Sequence, residues 1–310
     1  MRACFVGQRE YFEQCSLLEP AAGVEPFFVD HRGGADPSPV RVALDEIQPD
    51  VVLVFRPETL PAGFLRGVGA LTLGFNTEPI PRDASGEAHP EQAFRLSELA
   101  QTDASQFDRI ITFDPMGAAT AESAGIPVWR SVPLPVADHL FVDALRPPAR
   151  PPRVAFVGYS TEHREQWLTP VKHEFDVLHV VTGLRIAAGL DGSSTRELWG
   201  SIDVGINLHV GPFPSFENRV CLHLAAGHLV VSEPLDPSHG LEPGIDYVQV
   251  RSPAVLNHVV GSLHTDPDTF RATRIRGRAK AEAFRASRVF PRLFADFVAD
   301  VSAFGTSRVR

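Results

Sequence analysis

The chain has 310 residues, of which 44% are hydrophobic and 22% are charged, and its formal net charge at pH 7 is −9. This length exceeds that of a typical single domain and the composition is that of an ordinary globular protein, so we expect two domains with separate cores. The acidic balance argues against nucleic acid as the main partner, although a local basic pocket can still bind a small phosphorylated molecule.

The cysteines and the hydropathy of the sequence indicate the cellular compartment in which the protein is expected. The three cysteines lack CxxC spacing, and two of them fall in predicted core elements, which indicates reduced structural thiols in a cytoplasmic protein. No signal peptide precedes the first predicted strand, and no apolar run approaches the roughly 20 residues that span a bilayer, so we do not expect an integral membrane protein. The histidines lack HExxH and paired Cys/His spacing, so we predict no metal site.

Short apolar runs alternate with helical stretches through the first half of the chain. The predicted strands are residues 3–6, 25–29, 51–55, 70–75 and 109–113, and the predicted helices are residues 11–18, 39–47, 91–99 and 116–123. This alternation predicts a parallel sheet that is covered on both faces. Ligands of such sheets bind outside the carboxyl ends of the strands, so residues 7–9, 30–32 and 76–82 are the segments of interest.

Residues 143–152 contain four prolines and form the predicted linker. After the linker, alternation resumes. The predicted strands are residues 154–157, 177–181, 205–209, 229–231 and 247–250, and the predicted helices are residues 163–173, 195–201, 215–226, 254–263, 267–284 and 291–304. We therefore predict an N-terminal domain over 1–142, a second domain over 153–290, and a last helix over 291–310 that either crosses back to the first domain or caps the second.

Two doubly wound, Rossmann-like domains joined by a short linker are the ground plan of several protein classes. GT-B glycosyltransferases, some sugar epimerases and two-lobed binding proteins all share it, and the pattern alone does not separate them. The stretch that narrows the choice is residues 205–231, where a predicted strand, a Gly/Pro loop, a helix opening near Ser215 and a second strand follow each other. A helix start offers free N–H groups and a positive dipole end, and Arg219 adds a fixed charge, so we predict a phosphate site there.

The second half also carries an ordered set of motifs. They are residues 153–158 with Arg164, then residues 205–209, 218–219, 225–227 and 241–246. Together they resemble the C-terminal half of the CgeB-like (spore-maturation type) glycosyltransferases, which are related to the retaining group-1 GT-B enzymes. Residues 75–79 and 133–141 continue the resemblance into the first half.

The resemblance implies a GT-B fold with two domains facing an interdomain cleft. It also implies the transfer of a hexose from a GDP- or UDP-sugar to a hydroxyl acceptor such as a saccharide, with retention, without a metal ion and without a cofactor other than the donor. The second domain would bind this donor, and the first domain would bind the acceptor.

Candidate site residues follow from the motifs and from the strand-end rule. For the donor we predict contacts from Gly158, Tyr159, Arg164, Ser215, Phe216, Glu217, Asn218 and Arg219. For the acceptor we predict contacts from Gly7, Gln8, Arg9, Asn76 and Glu78.

Three of the candidates are predicted to be catalytic. Arg219 would stabilise charge on the departing diphosphate. Glu78 would act as general base in an inverting enzyme, or bind the acceptor in a retaining one. His209 would contact a sugar hydroxyl or a phosphate. The structural alternatives are a solvated arginine at a helix start, a carboxylate on a surface loop and a hydrogen-bonded core histidine.

One departure from the related family keeps a second function open. Retaining members carry two glutamates eight residues apart, and here those positions are Pro214 and Leu222. Glu217, three residues after the first position, is a possible substitute. The alternative function is a non-catalytic sugar- or nucleotide-binding protein on the same scaffold, and a sugar-nucleotide epimerase is a third.

Overall fold

The computed structural model describes residues 1–83, 88–181 and 192–306, and the chain divides into two compact units. The first unit consists of Met1–Asp138 together with Phe284–Arg310, and the second consists of His139–Ala283. The predicted linker, residues 143–152, falls inside the second unit, and the last helix falls inside the first.

The first unit contains a six-stranded parallel sheet with the strand order β2-β1-β3-β4-β5-β6. Its strands are β1 Arg2–Gly7, β2 Glu25–Asp30, β3 Val51–Phe55, β4 Leu71–Asn76, β5 Arg109–Thr112 and β6 Arg130–Ser131. β3 is apolar and buried at every position, as expected for a central strand covered on both faces. The five predicted strands are confirmed, and β6 was not predicted because two residues give no pattern.

Among the described residues of the first unit, four α-helices precede the second unit. They are α1 Arg9–Phe12, α2 Ser38–Ile47, α3 Pro90–Leu99 and α4 Ala118–Ser123. The prediction of one helix over 11–18 was wrong, because α1 ends at Phe12 and the 3₁₀ turn Glu13–Cys15 that follows it stops before Ser16. There the backbone becomes extended and the Ser16 hydroxyl donates a hydrogen bond of 2.7 Å to the Phe12 carbonyl.

The last helix of the chain, α10 Ala286–Phe304, covers one face of the first sheet. Phe290 and Phe294 pack on Phe5 of β1, with ring centroids 4.7 and 5.9 Å apart. The first of the two predicted alternatives for this helix is therefore confirmed. The helix begins five residues earlier than predicted, at Ala286 rather than at residue 291.

The second unit contains a five-stranded parallel sheet with the order β11-β10-β9-β7-β8. Its strands are β7 Val154–Val157, β8 Val177–Val180, β9 Val204–Asn207, β10 Leu229–Ser232 and β11 Val248–Gln249. Its helices are α5 Glu162–Glu174, α6 Gly192–Ser201, α7 Arg219–Ala225, α8 Pro253–Thr265 and α9 Arg271–Ala281. In register, Gly205 of β9 lies between Ala155 of β7 and Val230 of β10.

The central helix of this unit starts later than the sequence predicts. α7 begins at Arg219 instead of Ser215, and all seven of its residues are buried. Ser215 forms an isolated bridge with Leu235, so the chain reaches α7 in a non-helical conformation. The predicted helix N-terminus at residues 215–218 is therefore wrong. Gly227, with φ of +75°, ends the helix as predicted.

Candidate functional site

Two arginines meet at the carboxyl ends of β7 and β9 in the second unit. Arg164, from the first turn of α5, and Arg219, the first residue of α7, both donate to the Leu208 carbonyl, at 3.3 and 3.2 Å. Both guanidinium groups also lie over the Phe156 ring, 5.4 and 5.2 Å from its centroid. Two positive side chains from separate helices therefore share one aromatic surface and one carbonyl.

Arg164 is the more buried of the two. Arg164 as a whole is 1% exposed. Its guanidinium also donates to the His209 carbonyl at 3.1 Å and to the Tyr159 carbonyl at 2.9 Å. The Thr161 side chain caps α5 by accepting from the Arg164 amide at 3.2 Å. The sequence predicts a donor contact from Arg164, and the structure places its side chain in the interior rather than on an exposed face of α5.

Glu217 lies between these arginines. Its Oε2 is 2.9 Å from Arg219 Nη2 and its Oε1 is 3.7 Å from Arg164 Nη2. Burial raises the pKa of this carboxyl, but the two arginines outweigh that effect and hold it below the ordinary value. Glu217 is therefore a carboxylate at neutral pH.

Burial acts on Arg219 in the opposite direction. It lowers the pKa of Arg219 to about 10, and the charge of Arg164 also lowers it, while Glu217 opposes both. The guanidinium remains protonated at neutral pH. A buried cation with this balance is stabilised further by any additional anion that reaches it.

His209 and Ser215 form a polar layer beside the arginines. Burial lowers the pKa of His209, so the ring is neutral at pH 7, donates from Nε2 to the Pro234 carbonyl at 3.0 Å and accepts at Nδ1 from the Ser215 hydroxyl at 2.9 Å. Sequence reasoning missed Glu233, which accepts from the His209 amide at 2.7 Å and from His163 Nε2 at 2.9 Å. Glu233 directly follows β10, so the strand-end rule would have found it.

The remaining donor candidates are distributed around this cluster. A Cβ atom at Gly158 would lie 3.3 Å from Arg219 Nη1 and 3.1 Å from the Phe156 ring, so a small residue lets the arginine approach the end of β7. The Tyr159 ring lies 4.8 Å from the Arg164 guanidinium. Phe216 is buried and packs edge-on against His239 at 4.6 Å. Asn218 precedes α7 without capping it through its side chain.

The first unit holds a second charged cluster around Glu78, after the end of β4. The Glu78 carboxylate lies 3.4 Å from Arg95 Nε and 3.8 Å from Arg56 Nε, and its amide donates to the Asn76 side-chain oxygen at 3.2 Å. Burial raises the pKa of Glu78, the two arginines lower it, and the nearby Glu58 and Glu98 raise it, with a net rise. Glu78 therefore lies within an ion-pair network and is not a carboxylate on a surface loop.

Sequence reasoning missed both arginines of this network. Arg56 directly follows β3, has a left-handed backbone with φ of +56°, and pairs with Glu58 at 2.8 Å and Glu98 at 3.1 Å. A non-glycine residue in this region of backbone space is strained, which is common at functional sites. Arg95 of α3 also pairs with Glu98, at 3.0 Å.

The predicted acceptor residues after β1 have other surroundings. A Cβ atom at Gly7 would lie 3.0 Å from Phe12 and 3.1 Å from Phe55, so this glycine permits close packing. Gln8 precedes α1, and Arg9 pairs with Glu13 while its guanidinium lies 5.0 Å from the Phe28 ring centroid. The ion-pair partner of Arg9 is Glu13, whereas those of Glu78 are Arg56 and Arg95.

The described residues contain neither a cluster of metal-binding side chains nor a helix that could span a membrane. No group of three or more His, Cys, Asp or Glu side chains there is arranged to hold a metal ion. No helix in the same part of the chain has the length and apolar character needed to cross a membrane. The three cysteines are buried, and none of them forms a disulfide.

The chain matches no protein-family model and no curated protein sequence. It is similar to solved structures across nearly its full length. Alr3699/HepE from Anabaena, in complex with UDP and glucose, is 11% identical with a TM-score of 0.57, covering 97% of this chain and 100% of its own. Sucrose-phosphate synthase from Thermosynechococcus elongatus is 12% identical with a TM-score of 0.61, covering 96% and 99%. A glycosyltransferase from Rickettsia africae is 11% identical with a TM-score of 0.54, covering 96% and 98%.

These similarities, with two parallel-sheet units of six and five strands, confirm the predicted GT-B fold. They do not bear on the narrower CgeB-like resemblance.

Proposed function

We propose that the protein is a glycosyltransferase that moves a hexose from a nucleotide diphosphate sugar to a hydroxyl acceptor such as a saccharide. One observation carries this proposal: Arg164 and Arg219 converge, with little exposure, at the carboxyl ends of the strands in the second unit. Ligands of doubly wound folds bind at this edge. HepE, which shares the fold, was crystallised with UDP and with UDP-glucose, so UDP is the first nucleotide to test and GDP the second.

The chemistry required of the donor site agrees with these residues. In glycosyl transfer the bond to the anomeric carbon breaks through an oxocarbenium-like state, and negative charge grows on the departing diphosphate. Arg219 would stabilise that charge through its guanidinium, and Arg164 would contribute its field from a fixed position. The neutral His209 would hold the Ser215 hydroxyl in place through their 2.9 Å hydrogen bond.

The acceptor is assigned to the first unit. Glu78 would deprotonate the acceptor hydroxyl if configuration is inverted, or bind the acceptor if it is retained.

We propose retention, as the family resemblance implies, together with cytoplasmic activity that needs no metal ion. Two arginines can supply the positive charge that the diphosphate needs.

The first experiment is a thermal-shift panel with UDP, GDP, ADP and dTDP in EDTA, run on the wild type and on Arg219→Ala. A ligand at 100 times its Kd stabilises the folded state by about 2.7 kcal/mol, which raises Tm by several degrees. We expect one diphosphate to shift the wild type and the variant to lose that shift. With the matching sugar nucleotide and an acceptor, Arg219→Ala should lower turnover at least about tenfold.

Arg150→Ala is the matched control, because this arginine belongs to the same unit but is largely exposed and pairs with Asp268. It should keep both the shift and the turnover. A wild type that responds to none of the diphosphates would contradict the proposal.

A non-catalytic binding protein is the alternative, and one observation favours it. Leu222, at the position where related enzymes place a glutamate, is 3% exposed within α7 and offers no polar group to a ribose. Diphosphate binding without transfer to any saccharide acceptor would support this alternative over the enzyme.

A further inference from the structure

The arginine pair of the second unit is already occupied by a carboxylate of the chain itself. Glu217 lies 2.9 Å from Arg219 and 3.7 Å from Arg164. Within residues 1–83, 88–181 and 192–306, it is the only carboxylate within ion-pair distance of either guanidinium. The groups assigned to the donor diphosphate therefore already hold an internal anion.

The side chains of Glu217, Arg219 and Arg164 lie at increasing depth from the protein surface. The Glu217 side chain is 20% exposed, that of Arg219 is 10% exposed and that of Arg164 is 1% exposed. An anion that arrives from solvent meets the carboxylate before the more deeply buried guanidinium groups. It can form ion pairs with both guanidinium groups only if the Glu217 carboxylate moves away from them.

The local backbone allows the carboxylate to leave. Glu217 precedes α7, and its carbonyl accepts from the Val220 amide at 3.0 Å, which anchors the backbone independently of the side chain. The other side-chain contact is the Ser215 hydroxyl, 3.3 Å from Oε1. A rotation of the side chain would break these contacts without unwinding the helix, and the displaced carboxylate would recover hydration.

We propose that Glu217 is an internal competitor of the donor diphosphate, pairing with both arginines in the ligand-free protein and yielding them when the diphosphate binds. This inference rests on the proposed function. A diphosphate carries more charge and more acceptor oxygens than a carboxylate, so it gains more from two guanidinium groups and displaces Glu217. A monophosphate has less charge and fewer acceptor oxygens than a diphosphate, so it competes less well with Glu217. Because either anion must displace Glu217, the carboxylate weakens both by the same factor, and only the diphosphate keeps enough affinity to occupy the site.

The test is calorimetric titration of UDP, GDP, UMP and GMP into the wild type and Glu217→Gln. Glutamine keeps the shape of the side chain and removes its charge. We expect Glu217→Gln to bind the preferred diphosphate about tenfold more tightly, a difference of about 1.4 kcal/mol. We also expect the monophosphate to bind Glu217→Gln more tightly than wild type by a similar factor. Glu217→Ala, which also removes the side-chain amide, should tighten binding in the same direction, and melting curves establish that both variants are folded.

Glu165→Gln is the matched control. Glu165 is adjacent to Arg164 in the chain, but its carboxylate pairs with Lys172 at 3.4 Å and accepts from Ser160 at 2.6 Å. Its removal changes the net charge of the unit by the same amount and should leave the diphosphate Kd within about twofold, because a partly exposed pair is screened by solvent.

Three results are decisive. Tighter binding by both Glu217 variants with an unchanged control supports the competitor. Equal or weaker binding by these variants, while the wild type binds a diphosphate, overturns it, makes Glu217 a ligand contact or a bystander, and leaves the proposed function intact. No binding by the wild type or by any variant overturns the proposed function and the competitor together.

Discussion

Glu78 has surroundings that oppose its negative charge and others that support it. Burial raises its pKa above the ordinary 4.5, while Arg95 and Arg56 lie 3.4 and 3.8 Å away and pull it down. In the retaining enzyme that we propose, Glu78 binds the acceptor, so Glu78→Gln should raise the KM for the acceptor about tenfold. A loss of turnover of about 10²–10⁴-fold would instead mark Glu78 as the general base of an inverting enzyme. Diphosphate affinity belongs to the second unit and should not change. A general base acts when deprotonated, so in an inverting enzyme wild-type turnover should rise with pH, and that rise should lie above pH 4.5.

The measurement is a pH–rate profile beside a diphosphate titration. Glu91→Gln serves as control, since it removes another carboxylate paired with Arg95, at 3.0 Å, without altering Glu78. A loss confined to KM for the acceptor would assign Glu78 to acceptor binding in a retaining enzyme. Unchanged kinetics would exclude both roles.

Residue identities in the candidate site could be predicted more readily than their contacts. The order of motifs pointed to Arg164, Glu217 and Arg219, yet it did not show that one carboxylate lies between two buried arginines. Phe156 and Leu208, which bring the arginines together, come from different strand ends. Burial of this kind depends on tertiary packing, and a local run such as residues 162–165 resembles any exposed charged helix.

The presence of the helices and strands was predicted more accurately than the residues at which they begin and end. The segment before α7 shows why. Ser215 has a helix-start composition around it, but the chain there is held by a bridge to Leu235 and the helix starts at Arg219. Pairing with a distant residue outweighs local propensity, and no local pattern reports it.

Helix α9 lies so close to a neighbouring turn that a glycine is required. A Cβ atom at Gly277 would be 2.4 Å from the Asp246 carbonyl oxygen and 2.7 Å from the Leu224 side chain. We expect Gly277→Ala to lower the free energy of unfolding by about 1–3 kcal/mol, the cost of overpacking a rigid site. Urea unfolding of the purified chain measures it.

Gly200→Ala in α6 is the matched control, because a Cβ atom there would have no neighbour within 4 Å. Alanine favours a helix interior over glycine by about 0.5–1 kcal/mol, so this variant should be neutral or slightly more stable. Equal stability of the two variants would mean that α9 can move away from the turn at little cost.

At the level of the whole molecule, alternation of strands and helices predicted two parallel sheets, while the strand orders came only from the structure. An apolar strand such as β1 fits beside many partners, and the order β2-β1-β3 depends on which pairing buries most surface. The location of α10 also could not be predicted from the sequence. A stripe of phenylalanines predicts a buried face but does not identify the sheet that covers it. It packs on the first sheet, far from it in sequence.

The division into two units predicts separate responses to mutation and to ligand. Phe294 is fully buried against Phe5 and Phe290 in the first unit, so Phe294→Ala should lower that unit's stability by about 3–5 kcal/mol. Scanning calorimetry should then show one transition moved to lower temperature, which marks the first unit. The diphosphate should raise the other transition, because Arg164 and Arg219 belong to the second unit and a ligand stabilises only the part of the chain that must be folded to bind it. A diphosphate that raises the transition lowered by Phe294→Ala would place the nucleotide in the first unit and reverse the assignment of donor and acceptor.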